Sequence, residues 1–194
     1  MITQGTIDYI CRDMLHLDTW RPDFGGPDDN AALVLSECGS LLEVMYVIGA
    51  YHYLQQQAAQ DSDVCLAPAF GQEIYIETDR ARYSALWFME PWWGFGGYGP
   101  SALALIPQYP IGTLRADFAI AYGDDNGSPR WTIGAIVEID GYAVHRAQRQ
   151  RDEHRATYIE GTCKVPVLRF FEESHDPLTW FQYVVQHYHD PMSV

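Results

Sequence analysis

Residues 131–140, WTIGAIVEID, decide how the chain is read. Side chains two apart on a strand share a face, so Ile136, Glu138 and Asp140 point one way and Val137 and Ile139 the other. Two carboxylates thus lie side by side at the end of an otherwise apolar, central strand. Burying them together is costly unless a cation sits between them. The preceding segment, TLRADFAIAY (113–122), reads as a second strand joined to the first by a turn at 124–129. Arg115 and Asp117 are expected to share one of its faces, and hairpin pairing would bring Asp117 towards Glu138. Carboxylates gathered at strand ends form the hard-oxygen site that magnesium or manganese prefers. The competing reading of Glu138 and Asp140 is a solvated strand end leading into a turn, and spacing alone does not choose between them.

Working outward, ALALIPQYPIG (102–112) reads as a strand before this hairpin and VPVLRFF (165–171) as one after it. Residues 142–160 read as a polar helix ending at Gly161, and 177–189 as a closing helix. Strand, helix, strand over 131–171 makes a crossover unit, which predicts two parallel neighbours. Upstream, Ile7, Ile10, Met14 and Leu17 have helical spacing within 2–17, and 31–59 reads as a long helix interrupted near Gly39. Residues 61–104 differ in character. Tyr75, Ile76, Tyr83, Leu86, Trp87 and Phe88 favour strands, and PWWGFGGYG (91–99) is an aromatic, glycine-rich loop. We read this segment as an insertion that either covers a core or presents flat faces to a base or a protein. The expected whole is one α/β domain over residues 1–194: an N-terminal extension at 1–35, an insertion at 61–104 and the chemistry-bearing motifs in 105–173.

The chain has 194 residues with 47% hydrophobic and 20% charged, a composition that carries a full hydrophobic core and excludes disorder. Its apolar stretch around 86–97 is broken by Glu90, Pro91 and glycines, too short a run to span a membrane. No basic cluster leading an apolar run is seen at the N-terminus, so the cytoplasm is the expected compartment. The net charge of −14 opposes duplex binding in general. Residues 112–173, however, hold eight of the twelve basic side chains against ten acidic ones, while residues 1–111 carry −10. Cys11, Cys38, Cys65 and Cys163 are widely spaced, with no CxxC pair, and read as reduced thiols.

Three further groups bear on chemistry. His145 and Arg149, four apart, share a helical side, where a histidine could carry a proton and an arginine hold a phosphate. Arg146, Arg151 and Arg155 read more simply as a surface face paired with Asp152 and Glu153. Glu43 has no basic residue three or four positions away. It either seeks a distant partner, such as a metal site, or closes a capping box with Ser40.

The run Arg115-Ala-Asp117-Phe, then VEIDG, His145, RDEHR (151–155) and VLRFF resembles a branch of the PD-(D/E)XK nuclease superfamily, the endonucleases related to very short patch repair endonucleases. The resemblance covers about residues 40–55 and 105–173 and takes in PQYPIG and SLLE. It implies a restriction-endonuclease-like core, a mixed sheet flanked by helices, with Asp117 and Glu138 as ligands of Mg²⁺ and Mn²⁺ able to substitute. Glu43 matches the helical glutamate, Gln108 the glutamine of the strand before the hairpin, and Asp140 stands where the superfamily usually has lysine. The activity implied is metal-dependent hydrolysis of phosphodiester bonds, with nucleic acid, DNA first, as partner. Asp140 or His145 would then orient the water, and Arg115 or Arg149 would meet the phosphate charge. Two alternatives stay open: an inactive or regulatory protein on this fold, pairing with a protein or with itself through the acidic N-terminal part or the aromatic insert, and a nuclease for RNA or for nucleic acid delivered by a partner.

Overall fold

A computed structural model describes residues 2–18, 31–60, 69–89, 102–123, 131–141, 149–172 and 174–189. The chain is mixed α/β, a six-stranded sheet flanked by helices on both faces. The helices are α1 (Gln4–Tyr9), α2 (Ala31–Glu37), α3 (Leu41–Gln60), α4 (Arg149–Cys163) and α5 (Trp180–His189), and α1 runs on into a π-helical turn, Ile10–Met14. The strands are β1 (Ala69–Ile76), β2 (Ala81–Met89), β3 (Ala102–Ile111), β4 (Leu114–Gly123), β5 (Trp131–Asp140) and β6 (Val167–Phe171).

Strands β1 to β5 form an antiparallel meander in chain order, and β6 adds to β5 in parallel, as the crossover reading expects. A single parallel bridge, Ile76 to Trp131, brings β1 back to β5, so the meander curls upon itself. Small side chains permit that curl. Ala85, Ala104, Ala119 and Ala121 are fully buried in one cluster with Ile74, Ile76, Ile106 and Ile136, and Ile159 of α4 closes over them. The β1–β2 hairpin comes from the segment read as an insertion and extends the sheet. Its aromatic loop, 91–99, lies outside the described residues. Between β3 and β4, Gly112 at φ 61° takes the left-handed position of a two-residue turn.

The other face packs on α1, α2, α3 and α5. Helix α3 is buried on nearly every side between Val44 and Leu54, as a helix apolar all round must be. Trp180 of α5 is fully buried, its ring 5.5 Å from Tyr46, 6.0 Å from Phe118 and 5.2 Å from Phe170. Its indole Nε1 donates to the Tyr46 carbonyl at 2.9 Å, which satisfies the one polar atom it brings into the core.

One expected boundary moves. Helix α4 does not stop at Gly161 but continues to Cys163, and Lys164, at φ 56°, takes the left-handed position instead. The Lys164 amide donates to the Glu160 carbonyl at 2.8 Å, closing the helix one turn's geometry later than glycine would. Among the described residues no helix is long and apolar enough to cross a membrane. Cys11, Cys38 and Cys163 are free thiols, each pushed above the usual thiol range chiefly by burial, which keeps them protonated.

Candidate functional site

The site begins with an irregularity shared by two strands. Strands β3 and β4 keep one register from Ala102 opposite Gly123 to Ile111 opposite Leu114. Yet the side chains change faces midway. Ala104 and Ile106, with Ala119 and Ala121, belong to the cluster under α4, and so do Tyr109 and Ile111, with Leu114 and Ala116. Even numbers give way to odd on β3, and odd to even on β4. Strand alternation allows this only if each strand takes one residue out of the pleat at the same level. Those residues are Gln108 and Asp117, the single unpaired level between Pro107–Phe118 and Tyr109–Ala116. Gln108 sits at φ 51°, a left-handed conformation costing a non-glycine residue about 1–3 kcal/mol. Pro107 and Pro110 are tolerated because the β2 ladder on β3 ends at Leu105.

The strain at Gln108 is held by Glu43, only 6% exposed at the start of α3. Glu43 Oε2 accepts from Gln108 Nε2 at 2.8 Å and from the Gly39 amide at 2.8 Å, while Oε1 accepts from the Ser40 hydroxyl at 3.0 Å. Ser40 Oγ in turn accepts from the Glu43 amide at 3.1 Å. Glu43 thus closes a cap with Ser40, and its distant partner, 65 positions away, is the Gln108 amide.

In front of this pair lies a cleft of about 180 Å³ lined by Asp117, Glu138, Asp140, Arg155 and Arg169. Asp117 sits where the β4–β5 ladder ends, at Phe118 opposite Val137, and its Oδ2 accepts from the freed Ile139 amide at 2.6 Å. Glu138 and Asp140 project from the same face of β5, as alternation predicts. Arg155 of α4 meets Glu138 with two donors, Nε to Oε2 at 3.1 Å and Nη2 to Oε1 at 3.2 Å, and its Nη2 also donates to the Arg115 carbonyl. Arg169 lies opposite Glu138 in the β5–β6 register, and its Nη2 is 2.5 Å from Asp140 Oδ2.

Among the described residues, three carboxylates face two guanidinium groups here, one negative charge more than the positive charges beside them. That excess falls on Asp117. Burial, then the neighbouring Glu138 charge, pushes its carboxyl up to about 7, against the opposing hydrogen bond from Ile139; Glu43 adds to the rise. Glu138 is raised as well, mainly by burial, with Arg155 holding it back. A pair of carboxylates that repel each other out of water fits a divalent cation chemically, since only added positive charge relieves both. Among the described residues no three Asp, Glu, His or Cys side chains are grouped to hold a metal ion, so the fit belongs to Asp117 and Glu138 as a pair.

No family model, curated protein or solved structure matches this chain.

Of the residues singled out by sequence, Asp117, Glu138 and Asp140 share the cleft, and Glu43 and Gln108 stand bonded behind it. The expected shared face of Arg115 and Asp117 is broken by the irregularity at 117. The Arg115 side chain is exposed, and its carbonyl is what Arg155 engages. Arg149 opens α4, and His145 lies outside the described residues. Arg155 and Arg169 were not singled out as site residues. Arg155 pairs across the fold to Glu138, while the side chains of Asp152 and Glu153, its expected partners along the helix, lie outside the described residues. The missed signals were its spacing of four from Ile159, which faces the core, and the alternation of Arg169 and Phe171 parallel to Glu138 and Asp140.

Proposed function

We propose that this chain is a metal-dependent endonuclease on a restriction-endonuclease-like core, hydrolysing phosphodiester bonds in DNA. The observation that carries the reading is the half-buried Asp117–Glu138 pair, brought together on adjacent strands at one cleft, where burial and the neighbouring Glu138 charge raise the Asp117 carboxyl. The element order supports it: a helix bearing Glu43, three antiparallel strands bearing Gln108, Asp117 and Glu138, a helix, and a strand parallel to the third.

Asp117 and Glu138 would hold Mg²⁺ or Mn²⁺. Such a cation would polarise the phosphate and lower the pKa of water. The chain's own groups do the rest. The Ile139 amide fixes one oxygen of Asp117, and Glu43 holds the side-chain amide of Gln108, the residue level with Asp117 where the two strands change faces. Asp140, with Arg169 beside it, is the carboxylate placed to orient a water, in the position where the resembling family usually has lysine. His145 is the alternative proton carrier. Arg115 and Arg149 remain the proposed outer contacts to the substrate backbone.

The test is cleavage of supercoiled plasmid and single-stranded DNA in EDTA, Mg²⁺ or Mn²⁺, with wild type beside Glu138→Ala. Cutting is expected only with metal and only in wild type. Cutting in EDTA, or undiminished cutting by the variant, overturns the assignment. A second reading, a regulatory protein on this fold that acts through protein contacts, draws on the −10 carried by residues 1–111. Its signature is the absence of both cutting and Mn²⁺ binding, and cutting of RNA alone would instead move the substrate.

A further inference from the structure

We propose that Arg155 and Arg169 are exchangeable counter-ions: without a divalent cation they hold Glu138 and Asp140, and with one bound they turn to the phosphate oxygens of the substrate. The proposal rests on the nuclease reading of the same cleft and names the groups that recognise the phosphate.

Four observations lead to it. First, Arg155 grips Glu138, a carboxylate the metal would need, with two donors, and a guanidinium fork fits phosphate as well as it fits carboxylate. Second, the Arg169 Nε is buried and meets no hydrogen-bond acceptor among the described residues. A buried donor left over after its ion pair is a costly feature that an entering phosphate oxygen would satisfy. Third, both side chains remain partly open to solvent, 34% for Arg155 and 25% for Arg169, so each can change partner without unfolding its element. Fourth, a chain at −14 offers little general attraction to nucleic acid, so phosphate recognition must come from placed cations, and these two line the cleft.

The alternative is a pair of permanent structural ion pairs. The two differ in sign. If the arginines compete with the metal, removing one must tighten metal binding while harming the reaction. A structural pair would weaken both.

The experiment titrates MnCl₂ calorimetrically into wild type, Arg155→Met and Arg169→Met, each checked by its melting temperature. It also measures plasmid cleavage, and binding of a DNA duplex in Ca²⁺. Arg155→Met is expected to bind Mn²⁺ about tenfold more tightly, to bind DNA about tenfold more weakly and to cleave roughly a hundredfold more slowly. Arg169→Met should shift in the same directions. Arg155→Lys, which keeps the charge and loses the fork, should stay within about threefold of wild type for Mn²⁺ yet cleave poorly. Unchanged or weaker Mn²⁺ binding by folded Met variants, with wild-type cleavage still metal-dependent, overturns the counter-ion exchange alone. So does a Lys variant that binds Mn²⁺ as tightly as the Met variant. No Mn²⁺ binding by wild type overturns the nuclease reading with it.

Discussion

Asp117→Asn is expected to lower metal-dependent cleavage by roughly 10³-fold or more and, at the same time, to stabilise the protein at pH 8. The loss follows from removing the proposed anionic ligand while keeping its shape. The gain follows from relieving Asp117 of burial beside the Glu138 charge. Asp117 titrates near 7 in the folded chain, against about 3.9 for an aspartate in an unfolded one. Between those values the folded state binds the extra proton, so this group's contribution to stability is greatest below about pH 4, falls as pH rises and levels off above about 7. Three pH units correspond to about 4 kcal/mol at most, and coupling with Glu138 makes about 2 kcal/mol a working figure. Asparagine carries no such penalty, and its side-chain oxygen can still accept from the Ile139 amide. Urea denaturation of both proteins from pH 4 to 8 should give curves that diverge with rising pH. Saturating Mn²⁺ should raise wild-type stability at pH 8 and leave the variant unmoved. Parallel curves would show that Asp117 is not destabilised by burial beside Glu138.

Gly49→Ala should unfold the protein more readily than any conservative change in its core. A glycine inside an exposed helix normally gains about 1 kcal/mol when replaced by alanine. Here the sign reverses, because a Cβ at Gly49 would lie 1.8 Å from the Pro177 carbonyl oxygen and 2.6 Å from its carbon. The turn that carries Pro177 cannot yield freely. Leu178 and Trp180 amides are tied back to Asp176, the Tyr46 hydroxyl donates to the His175 carbonyl at 2.9 Å, and Trp180 is bonded to Tyr46. Pushing α3 off this turn loosens the Tyr46–Trp180 core, and a cost of about 3–5 kcal/mol follows, about 10 °C in melting temperature. A cost under about 1 kcal/mol, by urea denaturation, would mean that α3 and this turn are not in contact.

The strands β3 to β6, the parallel crossover and the break near Gly39 were legible because each is written in local alternation, helical spacing or a turn residue. The shared face of Glu138 and Asp140 followed from alternation alone. The face of Asp117 did not, because alternation fails at that residue, and the failure arises from a pairing of two strands rather than from either one. Arg155 and Arg169 escaped notice for a related reason. Their partners lie across the fold, and an arginine within RDEHR carries the same local signature whether it faces solvent or a half-buried glutamate. Gly161 was read as a helix end because glycine favours the left-handed position, but Lys164 adopts it at a modest cost once the helix is packed through Ile159.

The parallel strand β6 also sets an order of events. Antiparallel β1–β5 is built from hairpins whose partners are close along the chain, and such contacts form early. Strand β6 can add only after the chain from 141 to 166 has crossed the sheet, the slower closure. Pulse-labelled amide exchange during refolding should therefore protect β3 to β5 before β6. Since Arg169 arrives with β6 and Arg155 with the crossover helix, a half-folded chain holds its carboxylates without either arginine. The two guanidinium groups of the cleft are thus the last of its charges to arrive, and the finished charge balance of the cleft reports a fully folded chain.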